Sequence, residues 1–135
     1  MRRRLAFALL ALVALGVVTY VAGEQIEVVV VRSFDENGTP VDTKVWAVDY
    51  EGDTWVRVAN PRRRWYRRLL ANPHAELVRD GHTRAVLAEP SHDPAVQAAI
   101  DERFHEKYGA IDWWYGVLLR RDPVPVRLHV QANEP

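Results

Sequence analysis

The sequence of 135 residues contains no cysteine. Disulfides, thiolate-ligated metal centres and thiol nucleophiles are thereby excluded, while either redox compartment remains open to the chain. Lysine is scarce: of 18 basic residues only Lys44 and Lys107 are lysines. There is no Gly-x-Ser-x-Gly elbow and no phosphate-binding glycine loop. Serine hydrolysis and nucleotide hydrolysis fall away on that ground. The five histidines, at 74, 82, 92, 105 and 129, never stand three or four apart and form no His-Glu-x-x-His pattern, so no metal site is expected. No internal repeat, low-complexity tract or long linker is present. From Glu24 onward the chain carries 15 of the 18 basic and all 18 acidic residues, a balance of −3. An acidic body is a poor electrostatic partner for nucleic acid, and none is expected.

What the chain does have begins at its amino terminus. Met1-Arg2-Arg3-Arg4 precedes an apolar run from Leu5 to Ala22, broken only by Gly16 and Thr19-Tyr20. Eighteen such residues are just enough to cross a bilayer. The arginines belong on the cytoplasmic side and Glu24 and Glu27 follow the run, which predicts a single-pass membrane protein with an extracytoplasmic body. Residues 1–23 are thus a transmembrane anchor, the alternative being a secretory signal cut before Glu24. Residues 24–135 are long enough for one domain with its own core.

Ile26–Val31 is a β-branched run that reads as a buried strand, and 35–40 reads as a loop. Lys44–Tyr50 alternates, and Glu51-Gly52-Asp53 turns it into Thr54–Ala59. Strands 74–79 and 82–88 are joined by Asp80-Gly81. Asp93-Pro94 opens a helix whose Val96, Ile100 and Phe104 share a face and which Gly109 ends. Ile111–Leu119 is apolar and aromatic, and 124–130 alternates as a last strand. Six strands and two helices, joined by antiparallel hairpins, predict a mainly β protein, a small β-barrel with helices plugging its ends.

The stretch Thr54–Pro73 concentrates the chemistry. Trp55, Arg57 and Ala59 lie on one strand face, with Val56 and Val58 on the other. Asn60 stands where a helix N-cap belongs and Pro61 at the first helical position. Arginines follow at 62, 63, 64, 67 and 68, and Asn72-Pro73 stops the helix. A helix start exposes free N–H groups and partial positive charge. Ringed by guanidiniums, it is a place to hold a phosphate.

Val58-Ala59, the short loop 60–64, Trp65-Tyr66-Arg67-Arg68-Leu69-Leu70-Ala71-Asn72-Pro73 and the hairpin after it resemble the pyridoxamine-phosphate-oxidase-like split-barrel superfamily. The resemblance is to its branch of deazaflavin-dependent nitroreductases in particular, and it spans roughly residues 26–131. It implies a split β-barrel and a homodimer, with FMN or a deazaflavin in a groove at the subunit interface. The cofactor ring would lie along 45–48 and 58–60, and its phosphate would meet the segment from Asn60 onward. The cofactor-binding candidates are therefore Lys44, Trp46, Arg57, Ala59, Asn60, Arg62, Arg63, Arg64 and Trp65.

Trp113 and Trp114 are candidates to wall the substrate, with dimer contact and membrane contact as alternatives, and Tyr115 could donate a proton. The function expected is a membrane-anchored flavin- or deazaflavin-binding oxidoreductase reducing a small molecule such as a quinone or nitroaromatic. The alternative is a non-catalytic split-barrel module, without cofactor, that binds an anionic ligand, lipid or protein partner.

Overall fold

The computed structural model describes residues 1–119 and 122–131, with side chains described except at 18–25, 115 and 117–119. In chain order the elements are α1 (Arg2–Gln25), β1 (Val29–Phe34), β2 (Pro40–Val45), β3 (Ala47–Tyr50), β4 (Asp53–Val58), α2 (Arg64–Ala71), β5 (His74–Arg79), β6 (His82–Pro90), α3 (Pro94–Tyr108), α4 (Ala110–Leu119) and β7 (Val124–Val130). All seven strands join one antiparallel sheet in the order β2-β1-β5-β6-β7-β4-β3. Its two edge strands, β2 and β3, are consecutive in sequence and separated only by Trp46. One residue cannot span a flat sheet of seven strands. The sheet must therefore curl until its edges meet at Trp46, giving a barrel split at that seam.

The hairpin turns follow from backbone chemistry. Glu51-Gly52 and Asp80-Gly81 both sit at positive φ, at 50° and 82° and at 51° and 74°, the geometry that lets a two-residue turn match the strand twist. On β4, Val56 and Val58 point into the barrel, beside Val124, Val126 and Leu128 of β7 and Val86 and Ala88 of β6. Tyr66 and Leu69 of α2 complete that interior. Truncating Leu69 would cost about 2–5 kcal/mol. The outer face of β3 and β4 is covered by α3, whose Ile100, Phe104 and Tyr108 pack on Val48 and Trp55 as a second cluster. Asp93 caps α3 by accepting the Ala95 N–H at 2.9 Å, and Gly109 leaves it at φ 61°.

Several sequence expectations need correcting. The continuous strand 44–50 is two strands, broken at Trp46. Its ring stacks on Tyr108 at 4.6 Å, while the Tyr108 hydroxyl accepts the Ala47 N–H at 3.0 Å. The tyrosine's one proton lies between the carbonyls of Glu27 and Ala47, each 3.0 Å away. The expected loop 35–40 is shorter, because Pro40 already pairs with Phe34 across a hairpin. The apolar run after Gly109 is helix α4. The described strands number seven, and three helices rather than two accompany the barrel beyond α1.

At the amino terminus α1 is one continuous helix, and its side chains from Arg2 to Val17 are exposed all round. Among the described residues no helix is long and apolar enough to cross a membrane. The expected span 5–22 runs past residue 17, so its remaining side chains lie outside the described set.

Candidate functional site

The chain leaves β4 at Val58 and turns before it becomes helical. Asn60 holds that turn: its carbonyl accepts the Arg63 N–H and its side-chain oxygen accepts the Arg62 N–H, both at 3.0 Å. Asn60 is therefore not the helix cap, and Pro61 is not the first helical residue. The helix starts three residues later than Pro61, at Arg64, with Arg63 in the cap position. Arginine has no oxygen to accept a backbone N–H, and no side chain caps this end. No acidic residue stands in the first turn either. Arg62, Arg63 and Arg64 are exposed and have no ion-pair partner among the described residues. Free N–H groups, a helix dipole and three exposed arginines thus share this end of α2, with no acidic residue in its first turn.

Beside this start lies a groove of about 440 Å³. Pro61 and Tyr66 form one side, His92, Gln97 and Asp101 the approach to α3, and Asp122–Pro125 the entry to β7. Burial pushes the Tyr66 phenol above its ordinary value. Tyr66 is buried at that end of the site, while Arg62, Arg63 and Arg64 are exposed. Trp65 packs half-buried against the barrel interior, and Arg68 donates to the fully buried Ser33 hydroxyl at 2.8 Å.

The seam supplies a second element. β3 pairs with β4 only as far as Ala47 opposite Val56, and β2 pairs only with β1 among the described residues. Arg57 and Val58 therefore have no ladder partner on that side, and neither does the outer edge of β2. Lys44, Trp46 and Ala59 sit along these edges, Lys44 exposed and the other two half-buried. Backbone N–H and C=O groups at such edges can bind the rim of a flat polar molecule.

Arg57 is placed differently from the other arginines. Its side chain is 5% exposed. One nitrogen donates to Asp101 at 2.7 Å and the other to Asp112, and the guanidinium lies over the Phe104 ring at 4.2 Å from its centre. The residue clamps α3 and α4 to β4. Asp101 and Asp112 escaped sequence reasoning because their partner is 44 and 55 residues away.

Trp113 and Trp114 are exposed on α4, their rings 6.5 Å apart, and neither lines the groove. The side chain of Tyr115 lies outside the described set. No cluster of His, Asp and Glu able to hold a metal occurs among the described residues. Two ionic networks stand apart from the site. Glu27 and Asp49 share Arg79, with Lys107 also on Glu27, and Asp53 takes Arg127 and His129. Burial would raise Glu27 and Asp53, but their cationic hydrogen-bond partners outweigh it and hold both carboxyls below their ordinary range. Arg79 does the same for Asp49.

Residues 20–121 match the family described as "Uncharacterized protein conserved in bacteria (DUF2255)". The chain belongs to that family. No curated protein matches it in sequence. Among solved structures it is similar to HutZ, the heme storage protein from Vibrio cholerae, with a TM-score of 0.64 and 16% identity, covering 85% of this chain and 89% of that one. A putative pyridoxamine 5′-phosphate oxidase from Listeria innocua gives 0.59 and 15% identity, over 84% and 90% of the two chains. An F420 reductase gives 0.52 and 16%, over 78% and 86%. At these identities the likeness is one of fold. This DUF2255 member has the pyridoxamine-phosphate-oxidase-like split barrel.

Proposed function

We propose that the chain is a flavin- or deazaflavin-binding reductase of the split-barrel type. The observation that carries the reading is the uncapped, acid-free start of α2, where Arg62, Arg63 and Arg64 are exposed and have no ion-pair partner among the described residues. These residues fit a cofactor phosphate: they offer charge and backbone donors together, and a bound dianion would relieve the cation–dipole repulsion. The unpaired edges of β2 and β4 suit the rim of a planar ring, with Trp46 and Ala59 beside it. Such a ring supplies hydride or electron transfer when bound. The protein positions it, excludes water through Tyr66 and the prolines, and leaves the groove for a small oxidised molecule. A second copy of the chain covers the open side of the seam.

In the same reading α1 anchors the body to a membrane, with the arginine end cytoplasmic. Its support is the basic flank and the exposure of every described apolar residue from Leu5 to Val17. The apolar run 5–22 within it would be about 27 Å long as a helix, at the short end of what a bilayer core needs.

A second reading draws on Arg57. With that arginine committed to two carboxylates, the remaining cations hold an anion without necessarily holding a ring. The module then binds an anionic ligand and has no redox activity.

Colour separates the two. The purified full chain is examined for a flavin-like absorption band, then titrated with FMN, FAD and a deazaflavin. Hemin is run alongside because HutZ is described as a heme storage protein. Saturable binding of a flavin or deazaflavin, weakened at least about tenfold by replacing Arg62, Arg63 and Arg64 with Gln, supports the reductase reading. No binding at high micromolar concentration overturns it, and binding indifferent to the arginines overturns this placement of the phosphate. Light scattering of the eluted protein tests the dimer.

A further inference from the structure

Between the end of α1 at Gln25 and the start of β1 at Val29 there are three residues. Fully extended they reach about 10 Å. They are not free even over that distance. Ile26 packs against the cluster of Phe104 and Tyr108, the Glu27 carbonyl accepts the Tyr108 hydroxyl, and the Glu27 carboxylate takes Lys107 at 2.5 Å. The exit of α1 is thereby fastened to the last turn of α3. An α1 embedded in a bilayer would hold the barrel against the membrane surface, with this corner nearest to it.

α4 starts at the same corner, two residues after Tyr108. Asp112 faces inward to Arg57. Trp113 and Trp114 follow it at about 100° and 200° around the helix and so point away from the barrel. They are 61% and 57% exposed, and Val28 in the α1 exit is 47% exposed. In sequence α4 is followed by Arg120-Arg121. Large exposed indoles on an apolar helix, with arginines next along the chain, suit the headgroup layer. There the indole N–H stays wet while the ring is buried.

We propose that Trp113 and Trp114 form an interfacial foot that seats α4 in the headgroup layer beside α1 and fixes the orientation of the barrel on the membrane. The inference rests on α1 being embedded. It assigns the tryptophans to lipid rather than to substrate.

The test uses the full chain in vesicles of phosphatidylcholine and phosphatidylglycerol, with and without brominated acyl chains that quench indole fluorescence on contact. Trp46, Trp55 and Trp65 are half-buried or buried, so lipid contact falls to two of the five tryptophans. Quenching is expected in the native chain and should be almost wholly lost in W113F/W114F, whose remaining tryptophans are half-buried or buried. The single variants W113F and W114F should each remove part of it, and they keep the test valid if the double variant folds poorly. Flotation of the vesicles after an alkaline wash reports on α1 separately. If the chain floats and brominated lipid quenches native and variant alike, the foot is refuted while the anchor stands. If the chain washes off, the anchor reading fails and the foot with it.

Discussion

Replacing Arg57 with Met is the most direct test of how the candidate site is divided between structure and binding. The substitution keeps most of the volume and removes the charge. It takes one partner from the carboxylate of Asp112, a residue 4% exposed. Breaking a buried ion pair from one side costs about 3–5 kcal/mol. Asp101 adds little, because its side chain is 54% exposed and solvent screens it. The contact over Phe104 is worth about 1 kcal/mol and overlaps with the first term. The expected loss is therefore at most about 3–5 kcal/mol, or roughly 12–20 °C in Tm for a domain of this size. Urea and thermal unfolding followed by far-UV circular dichroism would measure it. D112N, which retains a neutral acceptor, should lose less than R57M, and D101N should lose under about 1 kcal/mol. The reasoning is refuted if R57M costs under about 1 kcal/mol, or if D101N costs as much as R57M. It is refuted equally if R57M leaves Tm unchanged while weakening a bound anion, since Arg57 would then belong to the ligand.

Other outcomes follow from single observations. Changing Arg62, Arg63 and Arg64 to Gln should not destabilise the fold by more than about 0.5 kcal/mol, because none has a partner to lose among the described residues, and relief of cation–dipole repulsion acts the other way; a large loss in the same melts would make them structural. Y108F deprives the Ala47 N–H of its acceptor at the seam and should cost about 1–3 kcal/mol in a urea titration. Glu27, Asp49 and Asp53 have folded values below their ordinary 4.5, 3.8 and 3.8. Their stabilisation is complete above those ordinary values and is lost as pH falls through the lower folded ones. Tm should thus hold steady down to about pH 5 and fall below about pH 4, with a shallower acid limb in R79M; a melt series across that range checks the sign.

How much of this was readable in advance depended on distance along the chain. The Asp80-Gly81 hairpin, the Asp93-Pro94 helix start and the Gly109 stop are local, and each formed as its residues dictate. The alternation of β4 likewise placed Val56 and Val58 inward. Trp46 gave no warning, because Trp46, Val48 and Tyr50 keep a period of two straight through the break. At the break Trp46 stacks on Tyr108, whose hydroxyl accepts the Ala47 N–H from 61 residues further along the chain. Asn60 was read as a cap because Asn favours caps and Asx turns alike, and the turn won. Of the candidate site, the free arginines were legible in composition alone. The commitment of Arg57 was not, since both carboxylates arrive from helices that only the fold brings near.

The position of β7 has a consequence for how the molecule comes to exist. Val56 pairs with Val126, seventy residues further on, and β7 is the stave between β6 and β4. The three hairpins β1–β2, β3–β4 and β5–β6 can form as the chain emerges. None can close the wall before residues 124–130 have been made. Until then the inner faces of Val56, Val58, Val86 and Ala88 lack their neighbour, and the nascent chain can form the four-stranded β2-β1-β5-β6 sheet but leaves the β3–β4 hairpin unattached to it. Closure is a late, long-range event that is slow by its topology. A lesion at Val126 or Leu128 should lower the yield of folded protein by more than its share of the core would suggest, because it strikes the step on which all the earlier pieces wait.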